Sequence, residues 1–298
     1  MDHCHDSAPA KPTLSGADLY NCCDPEVTGE GVEWAYSTCR GTKKALLIGI
    51  NYIGSDDELK GCINDVLNIR KYITENWGYK ESNVTTLTDD PEISKVLPTR
   101  ANIIEQLKAL VKDAKRNDAL FFCYSGHGSQ VINEDEDEIT TEKDGEDQTI
   151  CPVDYERRGM IVDDLLNEII VKPLPMGCRL TVLFDCCNSG SALDLLYTYG
   201  ADGRIEDGAN PDDPKKSPAD VVYLSACRDD QGAMTDFVDG PPTGALSHCF
   251  VDALTKEPEQ SYLDVLLNTR RELAGKGYNQ VPQLSSSHPI DTSLQFII

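Results

Sequence analysis

Short, unbroken apolar runs recur along this chain at intervals that leave room for a helix between them. The first is Lys44–Ile50 (KALLIGI), followed by Val84–Thr88, Ala119–Tyr124, Leu180–Phe184 and Val221–Ser225. Runs this short, rich in Val, Leu, Ile and Phe and closed by a small polar residue, suit strands buried on both faces of a parallel sheet. Between them the apolar spacing lengthens to the helical period. In Thr99–Lys115 the residues Ile103, Ile104, Leu107, Leu110, Val111 and Ala114 repeat on one face, and Thr99, after Pro98, is placed to cap the helix. Asn64–Trp77, Asp163–Ile170, Gly244–Leu254 and Tyr262–Leu273 have the same character. Strands alternating with helices predict an α/β fold, with a mainly parallel central sheet covered by helices on both faces. In such sheets chemistry gathers at the carboxyl ends of the strands.

Two stretches break the pattern. Residues 1–41 are rich in Pro, Gly, Ser and Cys without sustained periodicity, and read as an N-terminal extension or pro-segment. Gly200–Pro218 (GADGRIEDGANPDDPKKSP) reads as an exposed linker. One domain over 42–298 follows, with a large half over 42–200, the linker over 200–218 and a small half over 219–298.

Charge and cysteine content narrow the class. The 298 residues carry a net charge of -24, which excludes nucleic acid as a partner, because phosphate binding draws on Lys and Arg clusters. Acid concentrates in Glu134–Asp147, a loop that is either simply solvated or set beside a divalent cation or a basic peptide. Several of the twelve cysteines, among them Cys123, Cys186 and Cys187, sit in or beside apolar runs, as reduced buried thiols do. A reducing compartment is expected, cytoplasmic or nuclear. No basic-then-apolar leader opens the chain, and no run of about 18 apolar residues crosses it, so neither export nor a membrane span is expected. His3, Cys4 and His5 lack a second ligand pair at finger spacing, so zinc is not expected there.

Two of the predicted strands run into small polar motifs. Tyr124 leads into Ser125-Gly126-His127-Gly128, and Phe184 into Asp185-Cys186-Cys187-Asn188-Ser189-Gly190. An imidazole at one strand end can generate a thiolate at another, and a thiolate can attack a carbonyl carbon. The pattern alone leaves open which of the adjacent cysteines reacts. A thiol phosphatase is excluded, because no Arg follows Cys187 within reach of a phosphate.

The strings ALLIGINYIGS, GCINDV, PTRANI, YSGHGSQ, DCCNSGSALDLLYTY and KGYNQVPQLSSSHPID resemble the caspase-like domain of type I metacaspases, fungal ones in particular, over Lys43–Ile298. The resemblance implies a caspase-like α/β/α sandwich and peptide-bond hydrolysis. By motif it makes His127 the general base and acid, Cys187 rather than Cys186 the nucleophile, and the amides of Gly128 and Cys187 the oxyanion hole. It implies cleavage after Arg or Lys, with Cys62, Asp65, Ser125 and Asp185 lining the substrate pocket. The caspase string Gln-Ala-Cys-x-Gly, which accompanies cleavage after Asp, is absent. Calcium is implied as cofactor, held by Asp147, Asp163, Asp164 and Asp194. A monomer is implied, with peptides or proteins bearing Arg or Lys as its substrates. One departure is Asn188, where the family usually carries His after the nucleophile. Self-cleavage is expected near Arg40, Lys43, Lys44, Arg204, Lys215 or Lys216, with Tyr36 as a plug of the active site. The alternative is a scaffold that keeps the fold and acts by binding partners.

Overall fold

The computed structural model describes residues 33–132, 146–186, 192–207, 215–226 and 244–298. In chain order its elements are β1 (Lys43–Gly49), α1 (Cys62–Asn76), β2 (Val84–Thr88), α2 (Arg100–Val111), β3 (Ala119–Ser125), β4 (Gly128–Ile132), β5 (Glu146–Ile150), α3 (Tyr155–Arg158), β6 (Ile161–Val162), α4 (Asp163–Ile170), β7 (Arg179–Asp185), β8 (Tyr197–Tyr199), β9 (Ile205–Asp207), β10 (Asp220–Ser225), α5 (Ala245–Lys256), α6 (Tyr262–Gly275) and β11 (Gln283–Ser286).

Every predicted apolar run is a strand, and the five pair in parallel in the order β2-β1-β3-β7-β10. Because side chains alternate faces along a strand, a run apolar at every position feeds two cores. Leu46, Ile48, Leu120, Phe122, Tyr124, Val182 and Phe184 join Ile103 and Leu107 of α2 and Leu166 and Ile170 of α4 on one face. Ala45, Leu47, Phe121, Cys123, Leu183 and Val222 join Ile69 of α1, Phe250 of α5 and Leu266 of α6 on the other. The result is the expected α/β sandwich, whose sheet runs without a break through both halves of the chain.

Helix ends follow their caps. Thr99 accepts the Asn102 N–H at the start of α2, and Ser261 with Asp264 forms a reciprocal capping box on α6. The helix predicted over Thr99–Lys115 ends earlier, at Val111. Asp113 (φ 60°) and Asn117 (φ 68°) turn the chain in the left-handed region that Asp and Asn tolerate.

Six short strands were not foreseen. β11 runs antiparallel to β10, then β8 and β9 complete the sheet edge, while β4, β5 and β6 form a separate antiparallel ribbon. Two of them correct the sequence reading. The end of the acidic run, Glu146 and Asp147, is strand β5 rather than loop. The stretch read as an exposed linker contains β9, and its Ser217 is buried. Residues 33–41 also pack on the body: Ser37 and Cys39 are buried, and the Ser37 N–H donates to Asp220 Oδ2 at 2.7 Å.

Candidate active site

β3 and β7 are neighbours in register, with Ser125 opposite Asp185 at their carboxyl ends. In the sequence His127 lies two residues past the first and Cys187 two past the second, so the strands that carry the two motifs end side by side. Cys187 and Asn188 fall outside the described residues, as do His3, Cys4 and His5. The adjacent Cys186 is buried, in the same core cluster as Tyr124 and Leu193.

The main chain of His127 is held at both of its polar groups. Its N–H donates to Tyr52 Oη at 3.0 Å, and its carbonyl accepts from Tyr124 Oη at 2.7 Å. Tyr52 in turn donates to the Cys151 carbonyl at 2.6 Å, and its ring lies 4.7 Å from the imidazole. Gly126 is required between them, since a Cβ there would come within 2.7 Å of the Tyr124 hydroxyl. Nε2 of His127 lies 2.9 Å from the carbonyl oxygen of Asp57, which can only accept. In the neutral ring Nε2 therefore carries the proton, and Nδ1 is the basic nitrogen. The Asp57 loop is tied down by Tyr155, whose hydroxyl donates to Asp57 Oδ2. Gly128 opens β4 directly after His127, paired with Ile150.

Beside this histidine the fold buries two carboxyl groups, Asp65 and Asp185. Asp65 of α1 accepts from Ser125 Oγ at 3.1 Å. Burial and, after it, the charge of Asp185 push Asp65 from 3.8 up to about 8, against the opposing Ser125 bond. Asp185 accepts the Ser247 N–H at 2.6 Å, while its Oδ1 is buried without a hydrogen bond among the described residues. Burial raises Asp185 as well, although the amides at the head of α5 favour its charged form. Neither carboxylate has an ion pair among the described residues. Of the expected pocket residues, then, Asp65, Ser125 and Asp185 converge, and Cys62 is fully buried one turn before Asp65.

Sequence reading missed two partners from the small half. Gly244, with φ +105°, lies against Asp65 so closely that a Cβ would come within 1.8 Å of Oδ2. Ser247 supplies the amide to Asp185. The sequence pattern places both simply in a helix. The glycine at its start was the one visible signal.

Three of the four expected metal ligands come together. One carboxylate oxygen from each of Asp147 (β5), Asp163 and Asp164 (head of α4) lies within 4.8 Å of the others. Asp163 also accepts the N–H groups of Gln148 (2.8 Å) and Asp164 (2.9 Å), which fixes its orientation. Asp194 connects to this group through Lys215, whose Nζ is 3.2 Å from both Asp164 Oδ1 and Asp194 Oδ2. An all-oxygen, multiply negative set of this kind fits a hard divalent cation.

Tyr36 is placed elsewhere than expected. It packs beside Trp34 and His288 and accepts the Asp291 N–H at 2.9 Å, near Asp220 at the amino end of the sheet. It cannot plug a site built at the carboxyl end. Lys43 and Lys44 are likewise not exposed cleavage points: both lie in β1, paired with Ala119 and Leu120 of β3, with their ammonium groups on the Ile298 and Lys112 carbonyls. Arg40 and Arg204 are exposed.

A family profile described as metacaspase, peptidase C14 domain matches residues 43–196. A Candida glabrata protein named Metacaspase-1 is 45% identical, covering 91% of this chain and 79% of that one. Its Schizosaccharomyces pombe namesake is 40% identical over 96% of this chain and 78% of its own. Among solved structures, a Geobacter sulfurreducens protein has a TM-score of 0.60 at 23% identity, covering 86% of this chain and 98% of that one. The Drosophila initiator caspase Dronc has a TM-score of 0.52 at 10% identity, covering 90% and 88%. Both structures share the fold.

Proposed function

This chain belongs to the metacaspase family of cysteine peptidases, and from that premise we propose that it is a calcium-activated endopeptidase that cuts after Arg or Lys. The observation that carries the specificity is the pair of buried carboxylates, Asp65 and Asp185, raised by burial and lacking a cation among the described residues. A guanidinium or ammonium brought there by a substrate supplies the missing charge. An acidic side chain would bring like charge instead of opposite charge.

In this reading Nδ1 of His127 takes the proton of the Cys187 thiol while the Asp57 carbonyl holds Nε2–H. The thiolate adds to the carbonyl carbon of the substrate, and the amides of Gly128 and Cys187 stabilise the developing oxyanion. The C–N bond breaks as His127 returns the proton to the leaving amine. Water, deprotonated by the same nitrogen, then hydrolyses the thioester. The burial of Cys186 in the core supports Cys187 as nucleophile, because a thiol shut off from solvent cannot reach a peptide.

Asp147, Asp163, Asp164 and Asp194 would hold calcium. When bound, it supplies positive charge that orders β5 and the head of α4. Those elements bear on the catalytic histidine through the ribbon, since Asp147 pairs with Val131 of β4, three residues after Gly128. A monomer is supported by the sheet edge beyond β11, which among the described residues ends in the short strands β8 and β9.

The test is cleavage of a peptide library with Arg, Lys or Asp at the cut site, with calcium and with a chelator. Cleavage after Arg and Lys in calcium alone is expected, abolished by Cys187→Ala and retained by Cys186→Ala. Preference for Asp, or loss on Cys186→Ala with survival of Cys187→Ala, would overturn this assignment.

A further inference from the structure

The acidic face formed by Asp147, Asp163 and Asp164 already meets a cation, one supplied by the chain itself. Lys215 Nζ lies 3.2 Å from Asp164 Oδ1 and 3.2 Å from Asp194 Oδ2. Its side chain is only 13% exposed, against 42% for Asp164 and 2% for Asp194. A lysine in a stretch of Gly, Pro and Asp ordinarily keeps its strongly hydrated ammonium in water. Here it is drawn in between two carboxylates, one of them almost wholly buried, while its neighbour Lys216 turns the other way to Glu33. Asp164 is shared: it belongs both to the three-carboxylate group and to the lysine. Two positive charges cannot occupy the same few ångströms of oxygen surface without strong repulsion.

We propose that Lys215 is the internal occupant of this cation site, so that a divalent cation and the Lys215 ammonium compete for Asp164 and Asp194. Binding of the cation then frees the segment that leads from Lys215 into β10. The inference rests on the calcium reading above and adds to it the residue that opposes binding. Docked Lys215 lowers the apparent cation affinity by the fraction of molecules in which it is docked. By reciprocity, bound cation lowers the docking of Lys215 by the same factor.

Calorimetric titration of calcium into the full chain carrying Cys187→Ala measures this without self-cleavage. Adding Lys215→Met, which keeps the aliphatic stem and removes the charge, should tighten calcium binding by about tenfold. Lys215→Arg, which keeps the charge, should stay near the parent. Amide hydrogen exchange over residues 215–219 should speed up in the parent when calcium is added; in the Lys215→Met form it should already be fast and change little. Equal affinity in parent and Lys215→Met, with parent exchange unmoved by saturating calcium, overturns the competition and leaves the calcium reading standing. Absence of calcium binding in every form removes the calcium reading, and the competition with it. Should Lys215→Met fail to fold, exchange in the Cys187→Ala form decides alone: amides still protected in saturating calcium overturn the proposal.

Discussion

The two ends of the central sheet bury the same kind of group and treat it in opposite ways. At the amino end Asp220 is matched on every side: Arg179 Nη2 at 2.7 Å, His288 Nε2 at 3.2 Å and the Ser37 N–H at 2.7 Å. Burial by itself would raise this carboxyl, but Arg179 and His288 outweigh it and hold Asp220 below 3.8. At the carboxyl end Asp65 and Asp185 are also buried, but each is raised, and they share no cation among the described residues. A charge completed by the fold's own residues is structure. One left incomplete in a place the fold has gone to some trouble to desolvate is a place for another molecule.

The contrast breaks most visibly if the amino end is opened. Arg179→Met would leave Asp220 buried without its main partner, and a loss of about 3–5 kcal/mol in unfolding free energy is expected by urea denaturation. A loss below about 1 kcal/mol would show that this cluster is not the completed one. At the carboxyl end the signs reverse. Asp185→Asn should leave the melting temperature unchanged or higher, since a buried carboxyl group without a cation among the described residues is removed. For Arg peptides it should lower kcat/KM by about a hundredfold, the scale of about 2–3 kcal/mol for a lost charged partner. Destabilisation without loss of specificity would reverse the roles of the two ends.

The remaining test concerns pH dependence. In the unfolded chain Asp65 titrates near 3.8, whereas in the folded chain it holds its proton to about 8. Its contribution to stability is therefore fully present below about pH 4 and is lost as the pH rises through about 8. Thermal melts of the substrate-free protein between about pH 5 and about pH 8 should fall more steeply than those of Asp65→Asn. Equal slopes would mean that Asp65 is neutralised by a partner, as Asp220 is.

Much of this was legible along the chain, because it was local. Apolar runs buried on both faces have no polar position to mislead, so all five parallel strands stood where expected. The histidine and cysteine motifs announced themselves by following two of those runs directly. What escaped was short and polar. β11, with sequence QLSS, has no apolar period and exists because β10 offers it an edge. The small-half wall of the acidic site escaped for the same reason, since Gly244 and Ser247 acquire their roles from carboxylates some 180 and 62 positions away.

By itself, then, the sequence determined the alternation of strand and helix, the two motif-bearing strand ends and the acidic character of the site. Those follow from side-chain periodicity and residue type, which any short window of chain contains. Only the tertiary structure decided that Asp65 and Asp185 would be buried near one another, away from any cation among the described residues, and that Tyr36 would pack at the far end of the sheet. It also decided that Lys215 would lie between Asp164 and Asp194. The reason is physical: desolvation and charge pairing depend on which distant segments meet, and local pattern carries no record of that.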